Sequence, residues 1–171
     1  MRRRIIKIIC VSSISICVLA TGIISSAQGA DYENIEDTEN EEVIAITESI
    51  SEIYPICPEL IQAIIFYESS NRRSIVSRWG DVGYMQVNPI WQKDRLKNLG
   101  ITDLKDGYLN ILAGTDLLCE LFRKYEDTTL VLMAYNIGED RAVELYERGE
   151  VSDYAKKIMD LSEKLERFHG K

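Results

Sequence analysis

The sequence predicts a mostly α, single-domain protein with little or no β-sheet. Three observations carry that expectation. Apolar residues recur at helical spacing in almost every segment from Glu41 onward. No run shows the alternation and regular turn signals of a sheet. With its first 42 residues set aside, a chain of 171 residues leaves room for one core.

Residues 1–30 read as a signal peptide or an N-terminal membrane anchor. Arg2, Arg3, Arg4 and Lys7 form a basic start, an apolar run follows from Ile8, and small residues lead to candidate cleavage sites after Ala27, Gly29 or Ala30. If uncleaved, residues 5–24 are nearly long enough to span a bilayer. Either outcome exports the remainder, to the cell envelope or the outside. Residues 31–42 are acidic and poor in apolar side chains, the composition of a flexible spacer. The domain itself is expected over residues 43–171.

Within that domain a helix is expected over Glu41 to Tyr54, with Val43, Ile44, Ile46, Ile50 and Ile53 at helical spacing and Pro55 as its stop. Pro58 opens the next helix, to about Ser70, which is apolar nearly all round and therefore central. Asn71 to Gly83 has no period and reads as a glycine-hinged loop, followed by a short extended piece at Tyr84–Asn88. A helix from Pro89 should turn Trp91, Leu96 and Leu99 inward and end at Gly100. Helices over about Asp106–Tyr125 and from Thr128 to a break near Gly138 come next. A polar helix over Glu139–Arg148 and a last amphipathic one capped by Ser152 complete the chain.

Charge excludes several partner classes. The formal net charge is −8, and the first thirty residues hold four basic residues and no acid, so the part from Asp31 on carries about −12. No Lys, Arg or His stands between Ile8 and Asn71. A nucleic-acid partner or an anionic lipid surface needs a basic footprint that is missing here. Contact with a membrane is expected only through the N-terminal segment. Arg72, Arg73 and Arg78 either meet acidic groups of a substrate or form a solvated loop. Cys57 and Cys119 are the two cysteines left after processing, a candidate disulfide in an exported chain or two free thiols. With one histidine, His169, near the end, no metal site is expected.

Glu68 is the carboxylate singled out for chemistry. It ends the apolar run Leu60–Tyr67, where water is scarce, and a desolvated acid either shifts its pKa upward or finds a partner. Such an acid facing a hinged loop with polar and aromatic residues suits general acid–base work on a polysaccharide. A helix-terminal residue pointing to water is the alternative.

A series of short motifs surrounds it: Glu68-Ser69, Ser77, Gly83-x-Met85-Gln86-Val87-x-Pro89, Asn110-Ile111-x-x-Gly114, Ala134-Tyr135-Asn136-x-Gly138, and Tyr154 with Ile158. In that order and spacing, over roughly residues 53 to 160, the series resembles the SLT-type lytic transglycosylases. The resemblance implies a lysozyme-like (SLT/goose-type) α fold, peptidoglycan glycan strands as substrate, no cofactor and a monomer. It implies cleavage of the β-1,4 bond between N-acetylmuramic acid and N-acetylglucosamine. Glu68 would act first as acid and then as base, leaving 1,6-anhydromuramoyl ends. It also implies that Ser77, Met85 and Gln86 line the sugar groove, that Tyr135 and Asn136 flank the acid, and that Tyr154 closes the site, while Asn110 and Gly114 are structural. Tyr84 departs from the usual leucine, adding an aromatic face to the groove or merely packing. Trp79-Gly80-Asp81 is more similar to the goose-type lysozymes, which keeps open a muramidase in which Asp81, as a second carboxylate, places water. Asn88 stands where those enzymes carry an aspartate. A wall-binding module without catalysis is a third reading.

Overall fold

The computed structural model describes residues 35–171. The signal or anchor segment and residues 31–34 lie outside the described residues. Among those described, no helix is long and apolar enough to cross a membrane. The described residues form a 3₁₀ turn, Ile35–Thr38, and seven α-helices: α1 Glu41–Ser51, α2 Pro58–Ser69, α3 Lys93–Leu99, α4 Gly107–Lys124, α5 Thr128–Ile137, α6 Glu139–Glu147 and α7 Asp153–Phe168. The mostly α expectation is borne out.

Local chemistry sets most of the boundaries. Asn40, Asp106, Asp127 and Ser152 cap α1, α4, α5 and α7, each side chain accepting a backbone N–H three residues on. Pro58 occupies the first turn of α2, where no N–H is needed. Ser70 and Asn71, both at positive φ, end α2. From Leu60 to Ile65 every residue of α2 is buried, and the helix packs between α1 and α7. Around it, α5 packs on α4, α6 and α7, closing one core.

Four expectations need correction. First, the chain from Ile35 to Glu42 is not a free spacer. Ile35 packs on the core, Thr38 is buried and its carbonyl accepts from Asn71 Nδ2 at 2.9 Å. Composition showed the acids of this segment but not their distant partner: Glu39 Oε1 lies 3.1 Å from His169 Nε2. Second, α1 stops at Ser51, leaving Ile53 exposed. Third, α3 begins only at Lys93, because Asn88 turns the chain by accepting from the N–H groups of Ile90 and Trp91. Trp91 therefore points to solvent, and Leu96 alone of α3 is buried. Fourth, Cys57 and Cys119 are free thiols. Cys57 Sγ donates to Glu59 Oε2 at 2.8 Å at the start of α2, whereas Cys119 is buried on α4.

The piece expected to be extended, Tyr84–Asn88, begins instead as part of a tight turn. Val82 and Val87 exchange backbone hydrogen bonds of 3.0 Å, and residues 83–86 close the loop between them. Gly83 at φ +77° makes this turn, and a Cβ there would stand 2.3 Å from Asn110 Nδ2.

Candidate active site

Glu68 lies in the last turn of α2 and lines a cleft of about 640 Å³ together with Asp81, Gln86, Asn88, Tyr135 and Asn136. Ala113, Leu117 and Leu121 of α4 supply apolar wall. The half-buried carboxylate accepts a 2.6 Å hydrogen bond at Oε1 from the Tyr154 hydroxyl, which α7 delivers from 86 residues away. Desolvation pushes the Glu68 pKa above the ordinary carboxylate value, the bond from Tyr154 opposes that, and the negative charge of Asp81 adds to it. Burial and the Glu68 charge in turn hold the Tyr154 phenol far above its usual range, so it is a permanent donor. The ring of Tyr67 stands edge-on to that of Tyr154, centroids 6.0 Å apart, and buttresses it.

The Gly83–Asn88 motif builds the opposite side. Gln86 sits at φ +47°, a conformation uncommon for a residue with a side chain. Its amide Nε2 donates to the Gly83 carbonyl at 2.9 Å and keeps the turn closed. Tyr135 donates to the Met85 carbonyl at 2.8 Å, so α5 grips the same turn. Asn110 completes the support: its Oδ1 accepts from the Met85 N–H at 2.8 Å and its Nδ2 donates to the carbonyls of Val82 and Leu104. Asp81 is fixed at both carboxylate oxygens, by Asn88 Nδ2 and Ser77 Oγ, each at 2.7 Å.

The expected site residues thus divide. Glu68, Asp81, Gln86, Tyr135 and Asn136 share the cleft, and Tyr154 meets Glu68 from α7. Tyr135 lies in the cleft with Glu68 but donates to the Met85 carbonyl, and Tyr154 makes the bond to the acid. Ser77 does not line the cleft; it orients Asp81. Met85 does not line it either, being fully buried against Gly114, where an added Cβ would come within 2.5 Å of its Sδ. Tyr84 is buried too, and its hydroxyl donates to Glu42 Oε2 at 2.8 Å, so its aromatic face belongs to the core. Arg73 is engaged by Glu42 and Asp106, and Arg78 stacks over Trp79.

With this geometry in hand, comparison with known proteins is decisive. Residues 45–157, more than half of the chain, match the family described as the Transglycosylase SLT domain. The chain belongs to that family. It is 34% identical over 89 residues to a transglycosylase of Enterobacteria phage PRD1, a stretch covering 52% of this chain and 32% of the relative. It is 30% identical over 124 residues to the invasion protein IagB of Salmonella typhi, covering 68% and 74% of the two chains. Among solved structures, the 70 kDa soluble lytic transglycosylase of Escherichia coli superposes with a TM-score of 0.65 at 21% identity, over 74% of this chain and 24% of that one. Lytic transglycosylase Slt of Pseudomonas aeruginosa gives the same TM-score at 18% identity. The chain thus spans about a third of the phage relative's length and about a quarter of these solved chains. The likeness to the solved structures establishes the lysozyme-like SLT fold.

Within this SLT domain the sequence reasoning missed Tyr67 and Asn88 as working parts of the site. Tyr67 had a signal, being the residue immediately before the acid. Asn88 was noted only as a departure from the goose-type aspartate, because its role lies in four hydrogen bonds that knit the Trp79–Asp81 loop to Ile90 and Trp91.

Proposed function

We propose that this domain is a peptidoglycan lytic transglycosylase that cleaves the β-1,4 bond between N-acetylmuramic acid and N-acetylglucosamine. The observation that carries the reading is Glu68 in a sugar-sized cleft, raised in pKa by desolvation and held at one oxygen by Tyr154. A raised pKa enlarges the protonated fraction of the carboxyl, the direction a general acid requires. Because Tyr154 donates to Oε1, the exchangeable proton sits on Oε2. In the first step that proton passes to the glycosidic oxygen as the bond from C1 to it breaks. The neighbouring acetamido oxygen stabilises C1. In the second step the Glu68 carboxylate accepts the proton of the muramoyl C6 hydroxyl as that oxygen bonds to C1. Glu68 is then protonated again, the product is the 1,6-anhydro ring, and no water is consumed. This substrate-assisted route needs one carboxylate of the protein, unlike the two-acid schemes of most glycosidases.

A second reading rests on Asp81, which shares the cleft and whose charge acts on Glu68. As a muramidase the domain would use Asp81 to place a water that attacks C1. The bonds from Ser77 and Asn88 to both Asp81 oxygens favour instead a role in anchoring the loop. Mass spectrometry of digested cell wall separates the readings. Anhydromuramoyl ends from both wild type and Asp81→Asn support the transglycosylase; reducing ends that vanish in Asp81→Asn support the muramidase. Binding to wall with no released fragment would leave only a non-catalytic module. The proposed substrate lies outside the cytoplasmic membrane, in accord with the export segment read from residues 1–30.

A further inference from the structure

Three of the most exposed large apolar side chains are Trp91 at 82%, which lines the cleft, its chain neighbour Ile90 at 78%, and Trp79 at 72% exposure. Asn88 ties their backbones to one another, accepting from the N–H groups of Ile90 and Trp91 through Oδ1 and donating through Nδ2 to the Trp79 carbonyl at 3.4 Å. A grouped apolar surface of this kind marks a contact site rather than incidental exposure. Trp91 and Gln92 line the Glu68 cleft and also a second hollow of about 440 Å³, so they form the ridge between the two. The ridge is rigidly backed. Gln92 Oε1 accepts from Arg95 Nε at 2.9 Å, and the Arg95 guanidinium is clamped by Asp116 and Glu120 of α4.

We propose that Trp91, flanked by Ile90 and Trp79, is a stacking lip that carries a glycan strand from the Glu68 cleft into the adjoining hollow and makes the domain selective for long strands. The inference rests on the reading of the cleft as a glycan site and adds to it the length of substrate that the surface holds. An indole presents a flat apolar face that covers the C–H face of a pyranose while the sugar hydroxyls stay in water at the rim. The second hollow carries Asp94, Asp116 and Glu120 against Arg95, a balance that disfavours a polyanion and leaves a neutral sugar backbone as the fitting occupant. Pre-positioning by Asn88 and Arg95 reduces the ordering cost of binding. Sugars held beyond the cleft contribute binding that short fragments cannot reach.

The test measures binding without turnover, by calorimetry on the full chain carrying Glu68→Gln. The titrants are glycan strands and a tetrasaccharide of the same repeat, both with the lactyl carboxyls capped as amides so that the backbone is neutral. Long strands are expected to bind more tightly than the tetrasaccharide. Adding Trp91→Ala should weaken long-strand binding about tenfold and tetrasaccharide binding less, with Trp91→Phe restoring most of the loss. Ile53→Ala, exposed but outside the cleft lining, should change neither. Equal losses for both lengths, or none, would overturn the lip while leaving the cleft reading intact. A dimer lost in Trp91→Ala with glycan affinity unchanged would overturn it in favour of a protein contact. If neither glycan binds, the lip and the cleft reading fall together.

Discussion

Helix α2 carries two glutamates, nine positions apart, that illustrate opposite uses of one side chain. Glu59 sits in the first turn and is 1% exposed; Glu68 sits in the last turn and opens on the cleft. Desolvation pushes both pKa values upward. At Glu59 it is outweighed by the Cys57 thiol, Lys171 Nζ at 2.7 Å and His169 Nδ1 at 2.9 Å, so the carboxyl drops to about 2. At Glu68 desolvation is opposed by the Tyr154 phenol alone among the described residues, a nearby aspartate repels, and the pKa stays raised. The helix dipole points the same way, favouring an anion at its start and disfavouring one at its end. One acid is a clasp that ties both ends of the described chain to α2. The other is the proposed reagent. Burial alone distinguishes neither; the partners do.

The widest separation between the two should come from Glu68→Gln. It is expected to lower kcat by at least ~10³-fold in a muropeptide-release assay, since it removes the sole proton donor of the proposed reaction. Thermal stability at neutral pH should hold or rise, because an acid with a raised pKa is a burden to the fold when ionised. Turnover near wild type would end the assignment of Glu68 as the acid.

Tyr154→Phe sharpens the same contrast. Its hydroxyl lowers the Glu68 pKa, so losing it should move the alkaline limb of the kcat/KM profile to higher pH while the rate falls ~10-fold. An alkaline limb that stays in place would mean that Glu68 does not set it.

Glu59→Gln tests the other end. With two cationic partners left facing an amide, the fold should lose about 1–3 kcal/mol in denaturant unfolding, with the pH–rate profile unmoved. The clasp also fixes a pH window. The Glu59 pKa is depressed, so its contribution is present above the ordinary 4.5 and is lost as pH falls toward about 2. His169 works in the opposite sense. Burial lowers its pKa, but Glu59 and Glu39 outweigh that and raise it, so its contribution is full below 6.5 and is lost as pH rises through the folded value. With a carboxylate oxygen at each ring nitrogen, the arrangement suits a doubly protonated ring. Melting temperature against pH should therefore fall on the alkaline side in wild type and flatten there in His169→Gln. The smallest effect is expected from reductant: with Cys57 and Cys119 free, dithiothreitol should leave the melting temperature unchanged.

Much of the frame was legible in the chain itself. The apolar run Leu60–Ile65 announces a central helix because it is apolar nearly all round, with Gln62 its one polar side chain. Ser152 announces the start of α7, and Pro58 that of α2, through local backbone chemistry that needs no neighbour. Glu68 stood out because an acid ending such a run is desolvated by its own surroundings. What misled the reading were residues whose direction depends on a distant element. Trp91 faces water because the Asn88 turn delays α3, and Met85 is buried because Gly114 on α4 leaves room for its sulfur. Ser77 turns to Asp81 rather than to the cleft.

The order of helices and the central position of α2 were determined by sequence, since each rests on periodicity and capping, which act over a few residues. Glu68 was marked as the proposed acid there too, by its place at the end of the apolar run and by the motifs around it. The partner of that acid was decided by tertiary structure. The resemblance put Tyr135 beside the acid and Tyr154 at the closing side; the packing of α7 on α2 brings Tyr154 to Glu68, and that of α5 leaves Tyr135 on the Met85 carbonyl. The opposite fates of Glu59 and Glu68 were decided the same way. A hydrogen bond of 2.6 Å between residues far apart in the chain depends on how whole helices pack, which no local pattern encodes.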